Sequence, residues 1–160
     1  MIFRKAQIDD VEKIAPVFIS GYNINNIDEA RNIFLREFNN KNFLVAEENE
    51  KIVGFVSWAV RDLPKHQLAE LCRIVFLPEF RGKGYSESLF REMLLDINSF
   101  YLSKSLKVRK LFLLVHASNV RAQSFYKKIG FLHEATLKDH MYKGEDELIF
   151  SMFFNHEKKY

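Results

Sequence analysis

Two cations and two glycines alternate in Arg81-Gly82-Lys83-Gly84, followed by Tyr85 and Ser86. The apolar run Ile74-Val75-Phe76-Leu77 precedes them and ends at Pro78, and a helical pattern opens at Glu87. A strand, a basic glycine turn and a helix N-terminus in sequence make an anion site. The turn can expose several backbone N–H groups, and the first helical turn adds its own orphan N–H groups and the positive end of the helix dipole. Gly82 and Gly84 allow close approach of a ligand or a left-handed backbone. The chemistry this suits is capture of a diphosphate.

Better-known glycine loops fit less well. A P-loop needs a Gly-Lys-Ser/Thr run after its first glycine, and Lys83 sits between the glycines without one. A dinucleotide fingerprint needs a third glycine where Glu87 stands. A nucleophile elbow around Ser86 needs glycine where Ser88 stands. An ordinary strand-to-helix turn with solvated charges is the competing structural explanation.

A second segment bears on that choice. Leu111-Phe112-Leu113-Leu114-Val115-His116 reads as a buried strand, Ala117-Ser118-Asn119 as a turn with a good N-cap, and Val120 to Phe131 as a helix closed by Gly130. Together the segments resemble the GNAT superfamily of N-acetyltransferases. Arg81-x-x-Gly84-x-Ser86 matches that family's acyl-CoA pyrophosphate motif. Asn119…Ala122…Phe125-Tyr126-Lys127-Lys128…Gly130-Phe131 matches its second block. The resemblance runs from Ile2 to about Phe154. It departs at Ser86, where glycine or alanine is usual, although a small side chain there still lets a diphosphate approach.

The resemblance implies roles. Backbone groups of Ile74, Val75 and Phe76 would hold the pantetheine arm of acetyl-CoA, and Gly82, Lys83, Gly84, Tyr85 and Ser86 would take the pyrophosphate with Arg81 beside it. Asn119 would add a hydrogen bond to the cofactor arm while capping its helix. Tyr126 would be the general acid that protonates the departing thiolate, a task suited to a phenol of pKa about 10. The competing explanation for Tyr126 is a ring packed between Phe125 and Phe131. Glu70 would be the base, because histone acetyltransferases of the superfamily place a catalytic glutamate at the same distance before the loop. A glutamate on the solvent face of a strand is the alternative. His116 is the rival base, since an imidazole titrates near neutrality. Some amino-terminal protein acetyltransferases of the family use a glutamate at the position held here by Leu114, which argues against that subgroup.

Composition bounds the class. The chain has 160 residues, 48% of them hydrophobic, sixteen phenylalanines and a net charge of +3. That suits one globular domain, 1–160, with a core of its own. The charge is too small and too dispersed to indicate a nucleic-acid partner. One cysteine, Cys72, excludes an internal disulfide framework and suits a cytoplasmic setting. No apolar stretch suggests a membrane span or signal peptide. His66, His133, His140 and Cys72 lack metal-ligand spacing, so no metal is expected.

Around these residues the pattern predicts an edge strand at Met1 to Ala6, a helix capped at Ile8-Asp9-Asp10 that kinks or breaks at Pro16, and a helix at Ile27 to Phe38. A hairpin follows (Asn42 to Glu47, Ile52 to Val60), then the strand Gln67 to Leu77 and the helix Glu87 to Phe100. The order closes with strands Val108 to His116, Phe131 to Leu137 and Glu147 to Phe154, and the last helix after Asn119. Lys138 to Tyr142 reads as a solvated hairpin turn. The resulting fold class is α+β: a mixed, mostly antiparallel sheet, helices on both faces, and a parallel strand pair splayed at the cofactor site.

The function expected is direct acetyl transfer from acetyl-CoA to a primary amine in a ternary complex, because Cys72 lies in an apolar strand and is no evident covalent relay. The alternatives are an acyl-CoA-binding regulator without turnover and, more remotely, a small basic nucleic-acid-binding domain. Acceptor specificity should come from Tyr22 to Phe38 and from Leu137 to Glu147. The apolar final strand offers an edge for a homodimer.

Overall fold

In the computed structural model, residues 1–154 are described. Seven strands are hydrogen-bonded in the order β1-β2-β3-β4-β5-β7-β6. They are β1 (Ile2–Lys5), β2 (Asn42–Glu48), β3 (Lys51–Val60), β4 (Leu68–Phe76), β5 (Lys110–His116), β6 (Leu132–Tyr142) and β7 (Glu145–Phe153). Four helices intervene: α1 (Val11–Gly21), α2 (Ile27–Phe38), α3 (Tyr85–Leu102) and α4 (Val120–Lys128). The pairings β1–β2, β2–β3, β5–β7 and β6–β7 are antiparallel, whereas β4 and β5 run parallel. This is the mixed α+β sheet expected. The parallel register covers Leu68 to Glu70, while β4 itself continues to Phe76.

The chain divides into two compact units, Met1–Ala59 with Leu71–Ser99, and Val60–Glu70 with Phe100 onward. In the first, Phe18, Phe34, Phe43 and Phe55 form an aromatic core, with Phe18 and Phe55 ring centroids 4.4 Å apart. Each of these rings is at most 4% exposed. Helix α2 starts where Asn26 Oδ1 accepts the Glu29 N–H at 2.9 Å, and its first-turn Asp28 and Glu29 suit the positive end of its dipole. The β2–β3 turn bends through Asn49 and Glu50, both in the left-handed region. Phe76 packs on Gly54 of β3 so closely that a Cβ there would lie 2.5 Å from its ring. Trp58 Nε1 donates to Asp96 Oδ2 at 2.9 Å, fixing α3 against β3.

Two expectations change in detail: of the kink or break expected at Pro16 the break does not occur, and the turn expected at Lys138 to Tyr142 is strand. Helix α1 runs unbroken through Pro16. Ile14, Ala15, Val17 and Phe18 are all fully buried around it, and this packing outweighs the one hydrogen bond the proline cannot make. Lys138 to Tyr142 is not a hairpin turn but the end of β6; the register of the β6–β7 pair shifts between Leu137 and Tyr142. Asp139 lies there at φ 45°, and the turn itself falls at Lys143-Gly144.

In the second unit, β5 alternates buried Leu111, Leu113 and Val115 with half-buried residues between them. Phe131 and Phe150 complete that core, and the Tyr101 hydroxyl donates to the Leu68 carbonyl at 2.8 Å.

In the first unit, Arg4 grips Asp10 with two hydrogen bonds of 2.8 and 2.9 Å and reaches Glu47 with a third. These bonds hold the Asp10 carboxyl below its ordinary range. Because the folded value is depressed, the contribution is present above the ordinary carboxylate pKa of about 4 and is lost as pH falls through the folded value. Asp10→Asn should therefore cost about 1–3 kcal/mol at neutral pH. Denaturant melts across pH should show a flatter acid limb in the variant.

Candidate active site

The strand-to-helix turn is built in the first unit. A 3-10 turn at Pro78–Phe80 ends β4, and Gly82 and Gly84 then take φ values of 73° and 82°. Nothing lies within 4 Å of a Cβ placed on either glycine. Among the described residues, none accepts a hydrogen bond from the backbone N–H groups of Gly82, Lys83, Gly84, Tyr85 or Ser86. The first helical bond across the turn runs from the Ser88 N–H to the Gly84 carbonyl at 3.2 Å. Five adjacent donors with open space above two left-handed glycines form an anion cradle at a helix N-terminus.

The two cations of the loop behave differently. Arg81 turns its side chain back, with Nε donating to the Phe76 carbonyl at 2.7 Å and a terminal nitrogen to the Ser20 carbonyl at 2.9 Å. Its guanidinium ties together the ends of β4, the loop and α1. Lys83 is exposed, with its ammonium 5.5 Å from the Phe80 ring. Tyr85 stacks near Phe76 and Phe80, at centroid distances of 6.2 and 6.4 Å. Val75 and Phe76 are buried, as core residues on a strand should be, and Ile74 is half-buried.

Beside β4 lies a charged cluster that sequence reasoning missed. Arg73 bonds Glu37 of α2 at 2.8 and 3.1 Å, and its guanidinium lies 4.6 Å from the Tyr22 ring centroid. Burial would push Glu37 upward, but Arg73 and Lys41 outweigh it and hold the carboxyl below its usual range. Burial pushes the Tyr22 phenol up to about 12 despite the opposing Arg73 charge. Tyr22 and Glu37 fall in the segment expected to set acceptor specificity. Only the pairing of α2 with β4 reveals Arg73 as their partner, and no local sequence signal marks it.

The second unit carries the proton-transfer candidates. Tyr126 is 9% exposed, its ring 5.6 Å from Phe125 and 5.9 Å from Phe131. Asn119 caps α4 by accepting the Ala122 N–H at 3.1 Å. Glu70 lies in the parallel pair opposite Phe112, and its carboxylate receives the Arg61 guanidinium. A proton taken at that oxygen would have to displace or share the ion pair. His116 ends β5 opposite Glu147 in β7, with Nδ1 3.5 Å from Oε1. Glu147 is the other residue missed: it lies near the start of β7, and only the β5–β7 register brings it to His116. Among the described residues no group of three or more His, Cys, Asp or Glu side chains is placed to hold a metal ion, and no helix is long and apolar enough to cross a membrane.

Comparison with known proteins agrees with this geometry. The chain is 28% identical over 154 residues, 95% of each chain, to a Bacillus subtilis protein provisionally assigned as a ribosomal-protein-bS18-alanine N-acetyltransferase. Its fold superposes with a TM-score of 0.80 on a provisionally assigned GNAT acetyltransferase from Desulfovibrio desulfuricans, at 20% identity and covering 95% of this chain and 98% of that one. A spermidine N-acetyltransferase variant from Vibrio cholerae gives 0.75 at 20% identity, over 96% and 95% of the chains. Residues 11–131 match the model of the acetyltransferase (GNAT) family. The cradle after β4 and the capped helix after β5 thus belong to an acyltransferase, and the chain is a member of the GNAT family.

Proposed function

We propose that this enzyme transfers the acetyl group of acetyl-CoA directly to a primary amine, with both substrates bound together. The observation that carries the reading is the row of five backbone N–H groups without acceptors, from Gly82 to Ser86, at the start of α3. Such a row fits a diphosphate, whose oxygens can accept several N–H bonds at once. Acetyl-CoA supplies the activated acetyl group and a thiolate leaving group. The chain's own residues bind it, orient the acceptor and move protons.

In this reading the loop backbone from Gly82 to Ser86 holds the diphosphate and Lys83 adds charge. Arg81 acts chiefly as the brace that keeps the donors in place. The backbone of Ile74, Val75 and Phe76 holds the pantetheine arm, with Asn119 as a further polar contact. Tyr126 is the general acid: its ring is held by Phe125 and Phe131, and its hydroxyl protonates the thiolate. The base is one of two residues. Glu70 carries an ion pair with Arg61, whereas His116 Nδ1 faces a carboxylate, Glu147 Oε1, at 3.5 Å. The two relatives' acceptors, a ribosomal-protein alanine and spermidine, are both acetylated on nitrogen, which supports an amine acceptor here.

Acetyl-CoA should raise the melting temperature by mass action on the native state. Gly82→Glu/Gly84→Glu should abolish that rise, because side chains would enter the open space above the loop and bring negative charge. Circular dichroism checks that the variant folds, since both positions require φ > 0. Unchanged stabilisation in a folded variant overturns the reading, and stabilisation of the wild type without thiol release for any amine would indicate a non-catalytic acyl-CoA binder.

Tyr126→Phe deletes one hydroxyl and keeps the ring contacts. Its kcat should fall roughly 10- to 1000-fold with acetyl-CoA affinity nearly unchanged. Thiol-release kinetics at saturating acetyl-CoA read this, and wild-type turnover would assign Tyr126 to packing alone.

A further inference from the structure

Two side chains paired at the end of β5 each carry a buried polar atom without a hydrogen-bond partner: His116 Nδ1 and Glu147 Oε2. The two residues are directly paired across the β5–β7 ladder. The Glu147 side chain is 9% exposed, and the His116 side chain 39%. With Nδ1 buried, the open edge of the imidazole is the one that carries Nε2. Nδ1 faces Glu147 Oε1 at 3.5 Å, so its burial is costly unless a proton on Nδ1 is directed at that oxygen, while Oε2 faces His140 Nε2 at 3.8 Å.

The surroundings fix the His116 backbone and flank its ring. The His116 carbonyl accepts from the Asn119 N–H at 2.9 Å and from Gln123 Nε2 at 3.2 Å. The Tyr142 ring lies 5.6 Å from the imidazole. The neighbouring charges are mostly committed elsewhere. Glu145 accepts from the Ser118 backbone N–H and hydroxyl, at 2.9 and 2.7 Å. Asp146 pairs with Lys138 at 2.8 Å and accepts the Asp139 N–H. His140 Nε2 stands 3.8 Å from Glu147 Oε2, beyond hydrogen-bond reach. Glu147 is therefore the carboxylate directed at His116.

We propose that His116 Nε2 is the proton acceptor for the amine and that Glu147 is its positioning residue, holding the imidazole as the Nδ1–H tautomer. This rests on the amine-acetylation reading above. In the step, an N–H bond of the acceptor's ammonium breaks and its electron pair stays on nitrogen as the attacking lone pair. The proton bonds to Nε2, and the resulting imidazolium sits beside the Glu147 carboxylate until it passes the proton to water. The 3.5 Å separation of Nδ1 and Oε1 is one that tightens when the ring gains charge. The arrangement follows the logic of a carboxylate that fixes a histidine tautomer without itself taking the proton.

Nitrogen-15 NMR of the histidine rings in the intact chain, with no substrate added, reads the tautomer directly. His116 should be Nδ1–H in the wild type and in Glu147→Asp. In Glu147→Gln an amide can donate to Nδ1, so the proton should move to Nε2. With spermidine and alaninamide as probes, Glu147→Gln should lower kcat roughly 10- to 100-fold while the KM for acetyl-CoA stays constant, and Glu147→Asp should recover part of the loss. His116→Gln should remove the ionisation limb of kcat/KM that Glu70→Gln keeps. An unchanged acetyl-CoA melting shift shows that each variant is folded. An Nε2–H tautomer at wild-type His116, or full turnover in Glu147→Gln, overturns the proposal. Absence of turnover with both probes in the wild type would instead count against the amine reading, and the tautomer would still decide the dyad.

Discussion

A loop that offers five unsatisfied backbone donors must be held open by bonds made elsewhere, and here the Arg81 guanidinium makes them. It spans the Phe76 and Ser20 carbonyls, so the ends of β4 and α1 are tied to the first residue of the turn. Without that brace, the carbonyls at two element ends would compete for the same N–H groups that face the open space. A charge whose type suggests a ligand contact is thus taken up by the loop's own frame, and other donors stay free. The positive φ of Gly82 and Gly84 then points those donors outward without steric cost.

The same division of labour runs through the buried charges. Arg73, Glu37 and Tyr22 satisfy one another, so the first unit can bury a guanidinium and a carboxylate close to its aromatic core. In the second unit the corresponding account does not close, because His116 Nδ1 and Glu147 Oε2 are each buried without a hydrogen-bond partner. A satisfied cluster stabilises a fold, while an unsatisfied one marks where an added proton has somewhere to go.

Much of this was legible in the residues. The apolar spacing of Ala30, Ile33, Phe34 and Phe38 predicts α2 at the bounds observed, because a periodic face is a local signal. The glycines and the β5–α4 segment identify the family because their spacing answers to backbone geometry, which a sequence carries openly. Pro16 misleads because a local rule cannot weigh the burial of Ile14, Val17 and Phe18 around it. Lys138 to Tyr142 misleads for the opposite reason: exposed polar residues on an outer strand look like a turn. Arg73 and Glu147 escape notice because their partners lie far along the chain, and only strand register and helix packing bring them together.

The ring of Phe76 resting on Gly54 acts as a register lock for the strand that ends at the cradle. Sliding β3 by one residue would set Val53 or Phe55 beneath the ring, where even a single methyl does not fit, and would turn every neighbouring side chain to the wrong face. The missing side chain at Gly54 thereby fixes how far β4 extends before it turns. A position that contributes no functional group determines where the donors of the loop begin.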